Sequence, residues 1–190
     1  MGPDPHPDRV TDRAFVRLSK FLSLVLRHAP ERTGVALDAA GWADVDALIA
    51  GARRAGVSLD RASLEQVVRD DDKQRFAFSP DGRRIRANQG HSVAVDLGLT
   101  PEAPPETLYH GTAARHVDAI RREGLRPGRR THVHLSTDAA TAEAVGRRHG
   151  RPVVLRVTAG EMHRAGYTFV RSANGVWLTE AVPPRYVTAS

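Results

Sequence analysis

The sequence predicts an α+β chain built of two units. Two observations carry this. Residues up to about 97 read as three amphipathic helices closed by a β-hairpin, whereas the remainder reads as short strands interleaved with short helices. Between them the stretch TPEAPPET, with Pro101, Pro104 and Pro105, marks a linker. The resulting boundaries are a disordered tail at 1–10, a first unit at 11–97, a linker at 98–106 and a second unit at 107–190.

Residues 13–28 carry Phe15, Leu18, Leu22 and Val25 on one stripe at helical spacing. Asp12 or Thr11 can cap the start, and Pro30 stops the helix. Val35-Ala36-Leu37-Asp38 reads as a short strand, followed by a turn at Ala39-Ala40-Gly41. Trp42 leads into a helix over Val45–Arg54, with Val45, Leu48, Ile49 and Ala52 inward and Gly56 as its stop signal. A third helix runs from about Arg61 to Asp70, with Leu64, Val67 and Val68 inward. Arg75-Phe76-Ala77-Phe78 and Arg83-Arg84-Ile85-Arg86 then flank Ser79-Pro80-Asp81-Gly82. Asp-Gly between two alternating runs is a hairpin signal. Three helices and a hairpin describe a winged helix, a unit that often binds nucleic acid.

In the second half, Leu108-Tyr109-His110 is a strand and Val117–Glu123 a short helix ended by Gly124. His132-Val133-His134-Leu135 alternates as a strand, and Ala139–His149 is a helix ended by Gly150. Val153–Val157 is the clearest buried strand. Phe169-Val170, Val176-Trp177-Leu178 and Tyr186-Val187 add three more, giving a small mixed α/β unit.

Hydrophobic content of 41% and charged content of 26% allow a packed core. No apolar run reaches the length of about 18 residues that a membrane span needs. The start, MGPDPHPDRV, has no apolar signal core. Cysteine is absent, which removes thiolate chemistry and disulfides and fits a reducing cytoplasm. The net charge of +6 points to a polyanionic partner. Only Lys20 and Lys73 are lysines, so the charge is almost all arginine. A GC-rich genome produces that bias too, but the planar guanidinium also suits phosphate.

Three constellations carry candidate chemistry. In SLVLRHAP, Arg27 and His28 arrive together where a buried helix ends. One reading is favourable charge at a helix C-terminus; the other is two donors aimed at a phosphate, one of which titrates near neutral pH. In Asp70-Asp71-Asp72-Lys73-Gln74-Arg75-Phe76 the aspartates read as a solvated helix end, and Arg75 sits where helix meets hairpin. In Arg129-Arg130-Thr131-His132-Val133-His134-Leu135-Ser136 the histidines share one strand face. With His110 they form a candidate three-histidine metal site, although no carboxylate stands at a familiar ligand spacing. Hairpin residues Arg83, Arg84 and Arg86 either line a phosphate backbone or form a solvated charged surface. No Gly-x-Gly-x-x-Gly, Walker loop or Gly-x-Ser-x-Gly elbow occurs.

LSKFLSLVLRHAP, DDKQRF, RANQGHS, LYHGT, RRTHVHLS and NGVWLTEAVPPRYV occur in that order. Together they resemble the motifs of the RNA 2′-phosphotransferases, the KptA-type enzymes, across residues 17–188. The resemblance implies a winged-helix lobe that engages RNA and a C-terminal lobe of ADP-ribosyltransferase fold that holds NAD. It implies a two-step reaction in which NAD is consumed. The RNA 2′-phosphate attacks the ribose carbon bearing nicotinamide. The neighbouring ribose hydroxyl then attacks the resulting phosphodiester, releasing RNA with a free 2′-hydroxyl and ADP-ribose 1″,2″-cyclic phosphate.

By the same resemblance, the catalytic set falls on Arg27, His28, Arg75 and Arg130. Arg27 and His28 are expected to grip the 2′-phosphate, Arg75 and Arg130 to stabilise transition-state charge, and all four to meet around one anion. The NAD pocket falls on His110, Gly111 and Thr112 and on His132, His134 and Ser136. Lys73, Arg83, Arg84, Arg86 and His91 are expected RNA contacts. Arg147, Arg148 and His149 face the NAD diphosphate on one reading and solvent on the other. Val176 stands near Asn174-Gly175 where many ADP-ribosyltransferases use a glutamate, which argues against protein modification. The expected partners are RNA carrying a 2′-phosphate, for which a tRNA splice junction is the familiar source, and NAD. The protein is expected to be a monomer without a metal. The alternatives are ADP-ribosylation of nucleic-acid terminal phosphates, a non-enzymatic winged-helix binder, and the histidine metalloenzyme.

Overall fold

The computed structural model describes residues 12–189, and the tail expected at 1–10 lies outside them. The chain divides into two compact units between Leu97 and Gly98. Each mixes helices with small antiparallel sheets, an α+β arrangement.

The first unit opens with α1 (Asp12–Arg27), whose Leu18, Leu22, Val25 and Leu26 are buried. A short strand β1 (Ala43–Asp44) leads into α2 (Val45–Arg54), and α3 (Arg61–Asp70) follows. The Asp44 carboxylate caps α2 by accepting from the Ala47 amide, and Asp60 forms a reciprocal capping box with Ser63 on α3. Strands β2 (Phe76–Phe78) and β3 (Arg84–Ala87) form the expected hairpin, paired Phe76 to Ala87 and Phe78 to Ile85. The sheet order is β1-β3-β2. Leu22, Val25, Leu26, Leu48, Leu64 and Ile85 form the centre of the core. Each such side chain contributes roughly 1.5–3 kcal/mol by leaving water.

The strand expected at 35–38 does not form; only Leu37 bridges, to Ala43. The Asp38 carboxylate accepts from the amides of Ala40 and Trp42, so the chain turns where a strand would have continued.

The second unit contains β4 (Leu108–Ala113), α4 (Val117–Glu123), β5 (Val133–Leu135), α5 (Ala139–Gly146) and β6 (Pro152–Val157). It continues with α6 (Ala159–Arg164), β7 (Val170–Arg171), β8 (Trp177–Thr179) and β9 (Val187–Ala189). Two antiparallel sheets result, β4-β6-β9 and β5-β8-β7, joined by a bridge between Tyr109 and Ser136. Leu108, Leu135, Leu155, Val157, Met162, Phe169 and Trp177 form their shared core.

Helix α5 ends at Gly146, and Arg147–His149 form a 3-10 turn instead of its expected last turn. Helix α6 was not legible because its six residues offer only Ala159, Gly160 and Met162 to the interior, too few for a period. The expected linker runs along the second unit: Pro101 bridges Val170, and the Glu102 amide donates to the Phe169 carbonyl. No helix among the described residues is long and apolar enough to cross a membrane.

Candidate functional site

In the first unit the end of α1 is capped from a distant part of the chain. The Arg27 carbonyl accepts from the amides of Ser92 at 2.9 Å and Val93 at 3.3 Å. These donors serve a helix terminus whose last carbonyls have no partners within the helix. Arg27 is only 9% exposed and its guanidinium lies 5.9 Å from the centre of the Phe76 ring. Gly90, at φ +88°, runs against it; a Cβ there would stand 3.6 Å from the guanidinium carbon. His28 is exposed, with Nδ1 2.9 Å from Ser92 Oγ.

Arg75 stands in the turn between α3 and β2. Its amide donates to Asp71 Oδ2 at 2.7 Å and its guanidinium Nη1 to Asp71 Oδ1. Asp71, expected with its neighbours to be solvated, has a side chain only 2% exposed. Asp70 and Asp72 are exposed as expected. The turn passes through Gln74 at φ +44°, a left-handed conformation unusual for a side-chain-bearing residue. Asn88 secures it: its Nδ2 donates to the Gln74 carbonyl at 2.6 Å and its amide to the Arg75 carbonyl at 2.8 Å. One short segment, Asn88–Val93, therefore holds both the Arg75 turn and the Arg27-His28 helix end.

The expected RNA contacts are placed unequally. Lys73 and Arg83 are exposed. Arg84 pairs with Asp38 at 3.2 Å and lies 5.5 Å from the Trp42 ring. Arg86 lies 4.5 Å from the same ring and reaches the Ala40 carbonyl at 3.5 Å. Trp42 thus organises a cationic strip that residue spacing alone did not reveal. His91 is 1% exposed, so its ring lies beneath this surface rather than on it. Burial, with the cations Arg27, His28 and Arg86 around it, pushes its pKa down to about 4, so the ring is neutral at neutral pH.

In the second unit, His110, Gly111 and Thr112 lie on β4 and His134 on β5, with His132 just before it. His110 Nδ1 donates to the His134 carbonyl at 3.0 Å, and His134 Nδ1 to the His132 carbonyl at 3.0 Å. His132 Nδ1 meets Thr131 Oγ1 at 3.0 Å. Ser136 pairs with Tyr109 through both main-chain groups at 2.8 Å. Gly111 has a packing duty: a Cβ there would stand 1.6 Å from the Ala142 carbonyl oxygen, so only glycine lets α5 rest on β4. Thr112 is buried beside it.

Burial lowers the His110 pKa, and Arg130 and His149 lower it further against the opposing hydrogen bond to His134. Desolvation and the nearby Arg148 guanidinium likewise lower that of Arg130. The charges of Arg130 and His149 are thus felt at His110, and that of Arg148 at Arg130. Among the described residues no group of three His, Cys, Asp or Glu is arranged to hold a metal ion.

The sequence model described as "RNA 2'-phosphotransferase, Tpt1 / KptA family" matches residues 13–181. The chain is 56% identical to a probable RNA 2′-phosphotransferase of Hahella chejuensis, over 93% of this chain and 95% of that one. It is 60% identical to one of Agrobacterium fabrum, over 90% and 92% of the two chains. It is 57% identical to one of Streptomyces griseus, over 93% and 97%.

Proposed function

The chain belongs to the RNA 2′-phosphotransferase, Tpt1 / KptA family, and on that premise we propose that it removes an internal 2′-phosphate from RNA with NAD consumed as co-substrate. In this reading the first unit is a winged-helix RNA lobe and the second an ADP-ribosyltransferase-like lobe. The observation that carries the reading is the rigid presentation of Arg27, His28 and Arg75 by the single segment Asn88–Val93. Three groups that carry or can take up positive charge, two of them fixed through the main chain, are the residue types that suit a phosphate, which supports the reading.

Arg27 and His28 hold the 2′-phosphate, and Arg75 bears on the charge that develops there. The attacking phosphate is already anionic, so the first step needs orientation more than a base. A phosphate oxygen bonds to the ribose carbon as the bond to nicotinamide breaks. In the second step the ribose hydroxyl gives up its proton to solvent and bonds to phosphorus as the bond to the RNA 2′-oxygen breaks. That oxygen takes up a proton, which His28 can deliver. Arg130 bears with Arg75 on the transition-state charge, Arg148 and His149 suit the anionic part of NAD, and neutral His110 supplies Nε2 as an acceptor because Nδ1 is spent on the His134 carbonyl. Lys73, Arg83, Arg84 and Arg86 attract the flanking strand.

The test is an RNA bearing one internal 2′-phosphate, incubated with and without NAD. NAD-dependent loss of that phosphate with release of ADP-ribose cyclic phosphate is expected. No NAD-dependent change would end this reading, and ADP-ribose left on a terminal phosphate would replace it with end modification. Arg130→Ala should stall turnover with ADP-ribosylated RNA accumulating; unchanged turnover would remove Arg130 from the chemistry.

A further inference from the structure

Ala43 and Ile85 stand opposite each other across β1 and β3 and are fully buried, so the positions on either side of them face outward. One residue beyond β1, the same register sets Trp42 opposite Arg86, with Arg84 two residues away on the same outer face of β3. The contacts follow this alternation. The Arg86 guanidinium lies 4.5 Å from the centre of the Trp42 ring and that of Arg84 5.5 Å.

The main chain of Trp42 is fixed at both ends. Its amide donates to Asp38 Oδ1 at 2.9 Å and its carbonyl accepts from the Asp38 amide at 2.9 Å. Gly41 closes that turn at φ +80°, a conformation that a side chain disfavours. The two arginines have weaker holds elsewhere. Arg84 has a half-exposed ion pair with Asp38 at 3.2 Å, a type of contact that contributes little. Arg86 Nη1 reaches the Ala40 carbonyl at 3.5 Å, and its Nε is buried without a hydrogen bond among the described residues. The indole is therefore the rigid feature that both guanidiniums share.

We infer that Trp42 is a positioning residue for RNA: its ring holds Arg84 and Arg86 as a fixed pair that receives neighbouring phosphates of the strand beside the 2′-phosphate. The RNA contact rests on the 2′-phosphotransferase reading; the arrangement of ring and cations does not. A freely rotating arginine loses rotamer entropy when a phosphate fixes it, and one already stacked on an aromatic face loses less. Indole is the strongest of the aromatic faces for a cation, so the benefit falls with a phenyl ring and vanishes with an aliphatic side chain.

The experiment titrates the full chain with a single-stranded RNA bearing one internal 2′-phosphate, without NAD, so that binding is read apart from turnover. Trp42→Leu is expected to weaken binding about 5- to 20-fold, with KM for the RNA rising by a similar factor and kcat moving less. Trp42→Phe is expected to lose only about 2- to 3-fold. In a chain carrying both Arg84→Gln and Arg86→Gln, Trp42→Leu is expected to weaken binding no further, because the cations it positions are gone. Those two replacements together should also flatten the slope of log affinity against log salt by about 1.4, at about 0.7 for each phosphate on a single strand. Wild-type affinity in Trp42→Leu overturns the inference. So does an undiminished loss in the glutamine background, which would make the indole an RNA contact in its own right. Should Trp42→Leu not fold, Trp42→Phe goes through the same cycle, and a loss that persists without the arginines overturns the inference equally. Should the wild type bind this RNA yet show no NAD-dependent loss of phosphate, the functional reading fails, while the cycle still decides the role of Trp42.

Discussion

Asp71 grips Arg75 at two points, accepting from its amide at 2.7 Å and from its guanidinium. The carboxylate is almost wholly buried while the guanidinium remains partly exposed. The arginine is thus presented outward from a fixed root.

Asp71→Asn preserves the shape and removes the charge. It should lower turnover roughly tenfold, since a hydrogen bond to a charged group contributes about 1.5–3 kcal/mol. Arg75→Lys loses the planar fork and should lose more, about 100-fold. Steady-state kinetics on 2′-phosphorylated RNA measure both. Equal turnover in Asp71→Asn and wild type would show that the pair does not orient Arg75 for chemistry.

Gln74 holds φ +44° between these two residues. Gln74→Gly should raise stability and Gln74→Val lower it, each by about 1 kcal/mol, because a Cβ is disfavoured in the left-handed region. Asn88→Ala should cost about 1–2 kcal/mol by leaving the Gln74 carbonyl without its donor. Denaturant titration measures all three, and a stabilising Gln74→Val would show that the turn is not strained.

His91 makes stability depend on pH. Its folded pKa of about 4 lies below its usual 6.5, so the unfolded chain binds a proton more readily between those values. Stability from the neutral ring is fully present above about pH 6.5 and is lost as pH falls toward 4, on the order of 2–3 kcal/mol in total. His91→Gln should flatten that part of the curve. An unchanged slope between pH 4 and 6.5 would mean that His91 is not the titrating group.

Gly111→Ala drives a methyl into the backbone of Ala142, which cannot turn aside as a side chain could. The variant should lose about 3 kcal/mol or more and melt well below the wild type. Calorimetry measures this. A melting temperature within a degree or two of wild type would mean that α5 does not rest on β4 as described.

Much of this molecule was legible in its residues. The stripe of α1, the Asp-Gly hairpin, the alternating 132–135 segment and the apolar run at 153–157 each carry a local period that the observed elements reproduce. The run at 35–38 misled because Asp38 offers the backbone a turn within its own few residues. Helix α6 was missed because six residues with a glycine among the buried ones leave no period to count.

By itself the sequence determined most of the elements, the family motifs and which residues can carry charge at a phosphate, because these depend on local spacing and side-chain chemistry. Only the tertiary structure decided what stands behind them. Asp71 looks like one of three solvated carboxylates until the α3–β2 turn buries it. His91 looks like a surface ligand until Arg27 and Arg86 close around it. Ser92 looks unremarkable until a distant helix end brings His28 to its hydroxyl. Each of these roles depends on a partner or on enclosure supplied by folding, and periodicity within one segment carries no information about either.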